Sequence, residues 1–451
     1  MHLKKEWLLT IGITILTFVV ALSLIRFYAP HLLGGDRDLQ LVQVSKEVPP
    51  FFENIFRKQD YTSPELIIQD PYVKRAKPLI TEQFLMRMGP HDLMGFRNRS
   101  IPNIADVVTI GDSQTYGNNT MLVNNWPSQM QAALGKKKPI VYNMAVGGWG
   151  AAEYLDMFYK ALLFQPQVIV VAFYTGNDPL ETFQQAYGNK RYIFLKTDPS
   201  LKDSDIPKVA FPAPKSEWWR VKFKDGVSTT FTPKLRYACN QRHPAVKAGY
   251  AGMAEAGRMM GEMARKRKVK LIFTIIPTKE LVYAKKVVQE GINQPVYYKA
   301  LVADESDNIR RFADELSKIP EAIYVDVVDP LQEAAKQATP LYLEDINGHP
   351  IEAGYKIIAR TIAAMVQPFL SDPLEGLVAI RQDKNNYLIF LVRDGKAWLV
   401  PSRDILNQNG WKPTNIIYEK NERRVTRLPL AGVMDRVDVT RFGPRQSSYI
   451  K

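Results

Sequence analysis

Residues 107–117 read Val107-Val108-Thr109-Ile110-Gly111-Asp112-Ser113-Gln114-Thr115-Tyr116-Gly117. The β-branched run 107–110 predicts a short buried strand, and the glycine at its end predicts a tight turn into a helix. A serine at such a turn presents its hydroxyl at the edge of a sheet. The hydroxyl is a poor nucleophile until a base takes its proton, so what stands at the ends of the other strands decides what Ser113 can do.

Working outward, strands are predicted at 140–142, 168–173, 270–275 and 323–327, and helices at 126–134, 151–163, 245–267, 304–317 and 352–369. Together with 107–110 this alternation predicts an α/β fold, a doubly wound parallel five-stranded sheet that binds ligands at the carboxyl ends of its strands. The second strand runs into Asn143-Met144-Ala145-Val146-Gly147-Gly148-Trp149-Gly150, and the third into Thr175-Gly176-Asn177-Asp178. These ends converge on the edge that carries Ser113. A backbone N–H beside Gly148 and the amide of Asn177 can there point at a developing oxyanion.

The base is sought among five histidines, His2, His31, His91, His243 and His349. Only His349 follows the last strand and precedes a helix, in Glu344-Asp345-Ile346-Asn347-Gly348-His349-Pro350, which places it at the same edge. Asp345, four residues upstream, is the candidate acid to orient the imidazole. Lys279 and Tyr283, beyond the fourth strand, are read as surface residues.

In order, GDSQTYG, NMAVGGWG, TGND and the terminal D…HP followed by Ala353-Gly354-Tyr355 resemble the four blocks of the SGNH (GDSL-like) hydrolases across residues 95–370. The resemblance implies a flavodoxin-like SGNH fold, Ser113 as nucleophile, Ser113, Gly148 and Asn177 as oxyanion donors, and His349 as base. The sequence offers no ligand cluster and no nucleotide loop, so no metal and no organic cofactor is expected. That family's acid usually stands three residues before the histidine, and in some branches two. Here those places hold Ile346 and Asn347. Three arrangements stay open: Asp345 orients His349, Asn347 does so more weakly, or a Ser–His dyad operates. The first residue of the third block, Thr175, also replaces the usual glycine.

The chain has 451 residues, more than one core usually organises, and its 46% hydrophobic and 24% charged residues exclude wholesale disorder. Residues 7–25, WLLTIGITILTFVVALSLI, carry no charge and would span about 28 Å as a helix, close to the thickness of a bilayer core. Lys4 and Lys5 precede the run and Arg26 closes it, so an uncleaved anchor is expected at 1–28, with the amino terminus cytoplasmic and the rest exported from a bacterial inner membrane. A connecting region is expected at 29–100, a catalytic domain at 101–372 and a small β-rich accessory domain at 373–451. An insertion is expected at about 179–241, with a hairpin turning at Lys224-Asp225-Gly226. The lone Cys239 cannot form an internal disulfide and reads as a buried thiol.

The net charge of +14 favours an anionic neighbour, whether lipid headgroups or a charged envelope polymer. Nucleic acid is excluded by the export signal and by the absence of any recognition signature. The resulting expectation is a membrane-anchored serine esterase acting on an acylated glycan or other ester. The alternatives are a polysaccharide O-acetyltransferase, since Ile276-Pro277-Thr278-Lys279-Glu280 resembles a segment of the alginate O-acetyltransferase group, and a catalytically silent carbohydrate-binding protein.

Overall fold

The computed structural model describes residues 88–434 except 138, 208–217, 384–385, 421–422, 427 and 429, together with the strands Ile67–Ile68 and Arg75–Ala76 and with Phe442. The apolar run at 7–25 lies outside the described residues. Among those described, no helix is long and apolar enough to cross a membrane.

In chain order the strands of the larger unit are β1 Val107–Gly111, β2 Val141–Ala145, β3 Val168–Tyr174, β4 Trp219–Lys222, β5 Ser228–Phe231, β6 Lys270–Ile276 and β7 Ala322–Val325. Five of them form one parallel sheet in the order β2-β1-β3-β6-β7. The chain leaves β1 for β2 on one side and then crosses to β3 on the other, so the topological switch point, where such sheets bind ligands, lies at β1.

Alternation along each strand sends side chains to two helical layers. On one face Val108, Ile110, Ile169, Val171, Phe173, Leu271 and Phe273 pack against α3 Ala151–Ala161, α5 Pro244–Arg267 and α8 Val296–Ser317. On the other, Val107, Val168, Val170, Ala172 and Ile272 meet α2 Trp126–Ala133, α9 Val328–Ala335 and α10 Glu352–Val366. Strands covered on both faces read as near-continuous apolar runs, which is why 107–110 and 168–173 were legible at once.

Several expectations are corrected. β2 continues through Asn143 to Ala145, because the Asn143 side chain is satisfied inside the sheet: its Nδ2 donates to Thr115 O at 3.0 Å and its Oδ1 accepts from Thr109 Oγ1 at 3.2 Å. The expected insertion at 179–241 opens as regular helix, α4 Asp178–Gly188, packed on α5. The hairpin is where it was expected. β4 and β5 pair antiparallel around Gly226, whose φ of +89° favours glycine, and Trp219 and Phe231 pack on Tyr298 with centroids 4.6 and 5.1 Å apart.

The boundary at residue 101 falls inside a packed unit. Asp92 is buried and accepts from Tyr142 Oη at 2.8 Å. Arg97 is wholly buried and donates to the carbonyls of Gly89 at 2.7 Å and Thr120 at 2.7 Å, and to that of Gly117. A buried guanidinium needs such partners, and supplying them ties the segment before β1 to the loop after Ser113. Cys239 is buried, as expected, and its burial pushes the thiol pKa well up.

The carboxy-terminal unit is a second five-stranded sheet. Its strands are β8 Gly376–Arg381, β9 Tyr387–Arg393, β10 Lys396–Val400, β11 Ile417–Glu419 and β12 Leu430–Val433, in the order β11-β8-β9-β10-β12. It has its own small core around Leu377, Leu391 and Met434.

The contact between α4 and α5 requires a glycine. A carbon added at Gly249 would lie 1.9 Å from Pro179 O, whereas one at Gly188 would meet nothing closer than 3.7 Å. Gly249→Ala is expected to destabilise the chain by about 1–3 kcal/mol, and Gly188→Ala by no more than about 0.5 kcal/mol. Thermal unfolding of the two variants side by side checks this; indistinguishable midpoints would contradict the close packing.

Candidate active site

The turn that ends β1 is built from small and hydrogen-bonding residues for local reasons. A carbon at Gly111 would lie 2.9 Å from Ala172 O and still nearer the Thr115 side chain. Asp112 caps the short helix α1, Ser113–Tyr116, by accepting from Gln114 N at 2.8 Å. The strand-to-helix turn therefore leaves Ser113 at the head of α1, half-buried at the switch point.

The structure brings His349 to Ser113 across 236 residues of sequence, with Nε2 2.7 Å from Oγ. On the far side of the ring, Nδ1 is 2.7 Å from Asn347 Oδ1, which also accepts from the His349 backbone N–H at 3.1 Å. Asn347 Nδ2 donates to Asn119 Oδ1 at 2.7 Å, and Asn119 Nδ2 donates back to His349 O at 3.2 Å. This ring of bonds settles the tautomer. Asn119 takes the amide nitrogen of Asn347, so only a carbonyl faces the imidazole; Nδ1 must then carry the proton, and the bare Nε2 is left to accept from Ser113.

Asp345 does not reach His349 in this arrangement. It is exposed, and its Oδ1 accepts from Asn347 N at 2.9 Å, shaping the loop in an Asx turn rather than touching the imidazole. The place of the acid is held by Asn347, two residues before the histidine, with a neutral acceptor. The two rival histidines among the described residues are both engaged. His91 Nε2 pairs with Tyr116 Oη at 2.6 Å, and His243 caps α5 by accepting from Ala245 N at 3.2 Å.

Electrostatics at the edge follow from burial. Burial, and then the Arg236 guanidinium nearby, push His349 down to about 4. Burial pushes Asp112 up to about 7, and its Oδ2 lies 3.2 Å from Ser113 Oγ. Burial also raises Asp178, which accepts from Tyr154 Oη and Tyr174 N, each at 2.8 Å. The imidazole is thus neutral above about 4, and its Nδ1 partner, Asn347, carries no charge.

The other two expected donors stand at the same edge. The loop after β2 presses on the nucleophile: a carbon at Gly147 would sit 3.4 Å from Ser113 Cβ, and Gly148 takes φ +73°. Asn177 heads α4 without spending its side chain on a cap. Thr175 is buried in place of the usual glycine, its hydroxyl bonded to Glu305 Oε1 at 2.5 Å. Among the described residues no cluster of three or more His, Cys, Asp or Glu could hold a metal.

Sequence reasoning missed Asn119, Arg236 and Glu280, and misplaced two others. Lys279 and Tyr283 are buried, not superficial. Lys279 Nζ donates to Asp345 O at 2.6 Å and so ties the end of β6 to the histidine loop, while Tyr283 Oη accepts from Leu341 N at 3.2 Å.

No family model matches the chain, and no curated protein sequence does. Solved structures similar to it include a GDSL-like lipase from Bacteroides thetaiotaomicron, with 14% identity, TM-score 0.30, and coverage of 58% of this chain and 87% of that one. Another is a catalytic mutant of an acetylxylan esterase from Geobacillus stearothermophilus, with 13% identity, TM-score 0.32, and coverage of 59% and 95%.

Placing a carboxylate where Asn347 stands favours the charged imidazolium. Asn347→Asp is expected to raise the His349 pKa by roughly 1–3 pH units from its value of about 4. Histidine-selective NMR titration reads this directly, because the chain has only five histidines. An unmoved titration would show that Asn347 does not face Nδ1.

Proposed function

We propose that the chain is a serine esterase of the SGNH hydrolase type, exported and held at the membrane by residues 7–25, acting on an acylated glycan. The observation that carries this reading is the 2.7 Å contact between Ser113 Oγ and an imidazole nitrogen left bare by the Asn347–Asn119 pair. Membrane tethering rests on the uncharged run and its flanking lysines, and the glycan on that location and the +14 charge.

Ser113 Oγ attacks the ester carbonyl while His349 Nε2 takes its proton. The tetrahedral oxyanion is received by the backbone N–H groups of Ser113 and Gly148 and by the Asn177 amide, each such donor supplying about 3 kcal/mol of transition-state stabilisation. His349 then returns the proton to the departing sugar oxygen, leaving an acyl-serine and a free alcohol. Water, giving its proton to the same nitrogen, attacks the acyl carbon; the nitrogen passes that proton to the departing Ser113 oxygen, and the acid is released. Passing the acyl group to a sugar hydroxyl would use the same intermediate. Asn347 holds the ring throughout but stabilises the imidazolium less than a carboxylate would, since hydrogen bonds to charged partners are roughly twice as strong as neutral ones. The depressed basicity of His349 has a compensation: the nitrogen stays unprotonated in acid.

The test is a fluorophosphonate probe on the full chain. Wild type is expected to label, Ser113→Ala not at all, and His349→Ala at least about a thousandfold more slowly. The labelling rate should hold as the pH falls below 6.5 and decline only near 4, because His349 protonates there and a protonated imidazole cannot accept from Ser113. Absence of labelling in folded wild type would refute the esterase reading.

A further inference from the structure

Beside the histidine loop lies a buried cation that the reaction just described does not use. Arg236 follows the β4–β5 hairpin, and its side chain keeps only 11% of its surface accessible. Its Nε donates to Glu280 Oε2 at 2.9 Å. Its Nη2 is buried without a hydrogen-bond partner. The guanidinium lies against the backbone next to the base: a carbon built on Gly348 would stand 2.8 Å from Nη2 and 3.1 Å from Nη1.

An unmade hydrogen bond on a buried charged group is costly, about 1–3 kcal/mol or more, and such groups call for a partner. Among the described residues no protein group supplies one, and the carboxylate of Glu280 is turned to other donors. Its Oε1 accepts from Thr232 N at 2.9 Å, and its Oε2 is taken by Arg236 Nε. A second unpartnered group is the buried hydroxyl of Tyr342, and Tyr174 is within electrostatic reach of both it and the guanidinium. Tyr174 ends β3, and its ring covers Gly176, the neighbour of Asn177; a carbon at Gly176 would fall 2.3 Å from that ring. The guanidinium thus lies against the histidine loop, within electrostatic reach of the residue that ends the third strand.

Charge decides what fills this place. Arg236 and Lys279 are two cations close together; of the buried carboxylates around them, burial raises Asp112 and Glu305, whereas Arg236 and Lys279 hold Glu280 low despite its burial, and Asp345, which also acts on Lys279, is exposed. We propose that the open side of Arg236 receives a carboxylate of the substrate, so that the site selects esters of acidic sugars over esters of neutral ones. A guanidinium binds a carboxylate better than it binds a hydroxyl, through charge-assisted and commonly paired bonds. The bound anion also offsets the one electrostatic disadvantage of this base, a cation beside a nitrogen that must become cationic, in a site where the usual acid is an asparagine. The proposal rests on the esterase reading for its ester but not for its acid.

The full chain carrying Ser113→Ala, which cannot turn the ester over, is titrated calorimetrically with an O-acetylated oligogalacturonide and with an O-acetylated xylo-oligosaccharide of equal length. The acidic ester is expected to bind at least about tenfold more tightly. Pairing Arg236→Gln with Glu280→Gln removes both buried charges together and should bring the two affinities within about twofold of one another. Arg236→Lys, which keeps the charge and the Glu280 partner but offers no second nitrogen, should lose most of the preference. Equal binding of the two esters, or a preference that survives both substitutions, overturns the proposal. Fluorophosphonate labelling judges the acyl-serine separately, so a labelled protein without acid preference and an unlabelled protein with it are distinct results.

Discussion

The register of the parallel sheet sets where each strand releases the chain. β1 pairs with β2 and β3 simultaneously, Gly111 lying opposite both Ala145 and Ala172; β1 and β2 end at that level, and β3 runs two residues further to Tyr174. A parallel register of this kind is set by burial on both faces, because a slip of one residue would exchange the two apolar layers. The nucleophile turn, the Gly147-Gly148 loop and the Asn177 turn are brought together by that register before any of their own contacts act. The final element, α10, then delivers the histidine loop to the same edge.

The site differs from a Ser–His–acid arrangement in how its imidazole is held. Two asparagines from segments 228 residues apart replace one carboxylate. Geometry is preserved, since Asn119 forces the carbonyl of Asn347 toward the ring, but the charge is not. Burial and Arg236 move the base further the same way. The outcome is a ring held at Nδ1 by a neutral carbonyl and reluctant to be charged. Arg97 and Lys279 do comparable work at a distance: the first fixes the loop after Ser113 and the second ties β6 to the histidine loop.

Much of this was legible in the residues because it rests on local pattern. The run at 107–110 and the glycine that follows determine a strand and a turn wherever they occur, and His349 stood out because only five histidines compete. What was not legible depends on partners distant in sequence. Asn347 stands in the sequence as one of three ways to hold His349, but Asn119, which turns its carbonyl to the ring, lies 228 residues away. Arg97 reads as part of a polar linker because nothing nearby reveals that carbonyls from 89 to 120 will converge on it. Lys279 and Tyr283 resemble surface residues until the histidine loop and residue 341 fold over them. Asp345 misled because its spacing nearly fits, whereas an Asx turn turns its carboxylate to the backbone instead.

The 236-residue separation between serine and histidine gives the site a temporal property. Contacts of such long range close late in folding, since the intervening loop must first be ordered. Until α10 docks, Ser113 is an ordinary alcohol with no base, however well its own turn is formed. A chain in which α10 has not docked therefore lacks the proposed base, and the chemistry proposed for Ser113 waits on that contact. The nucleophile reports not that a turn has formed but that the whole sheet has been wrapped.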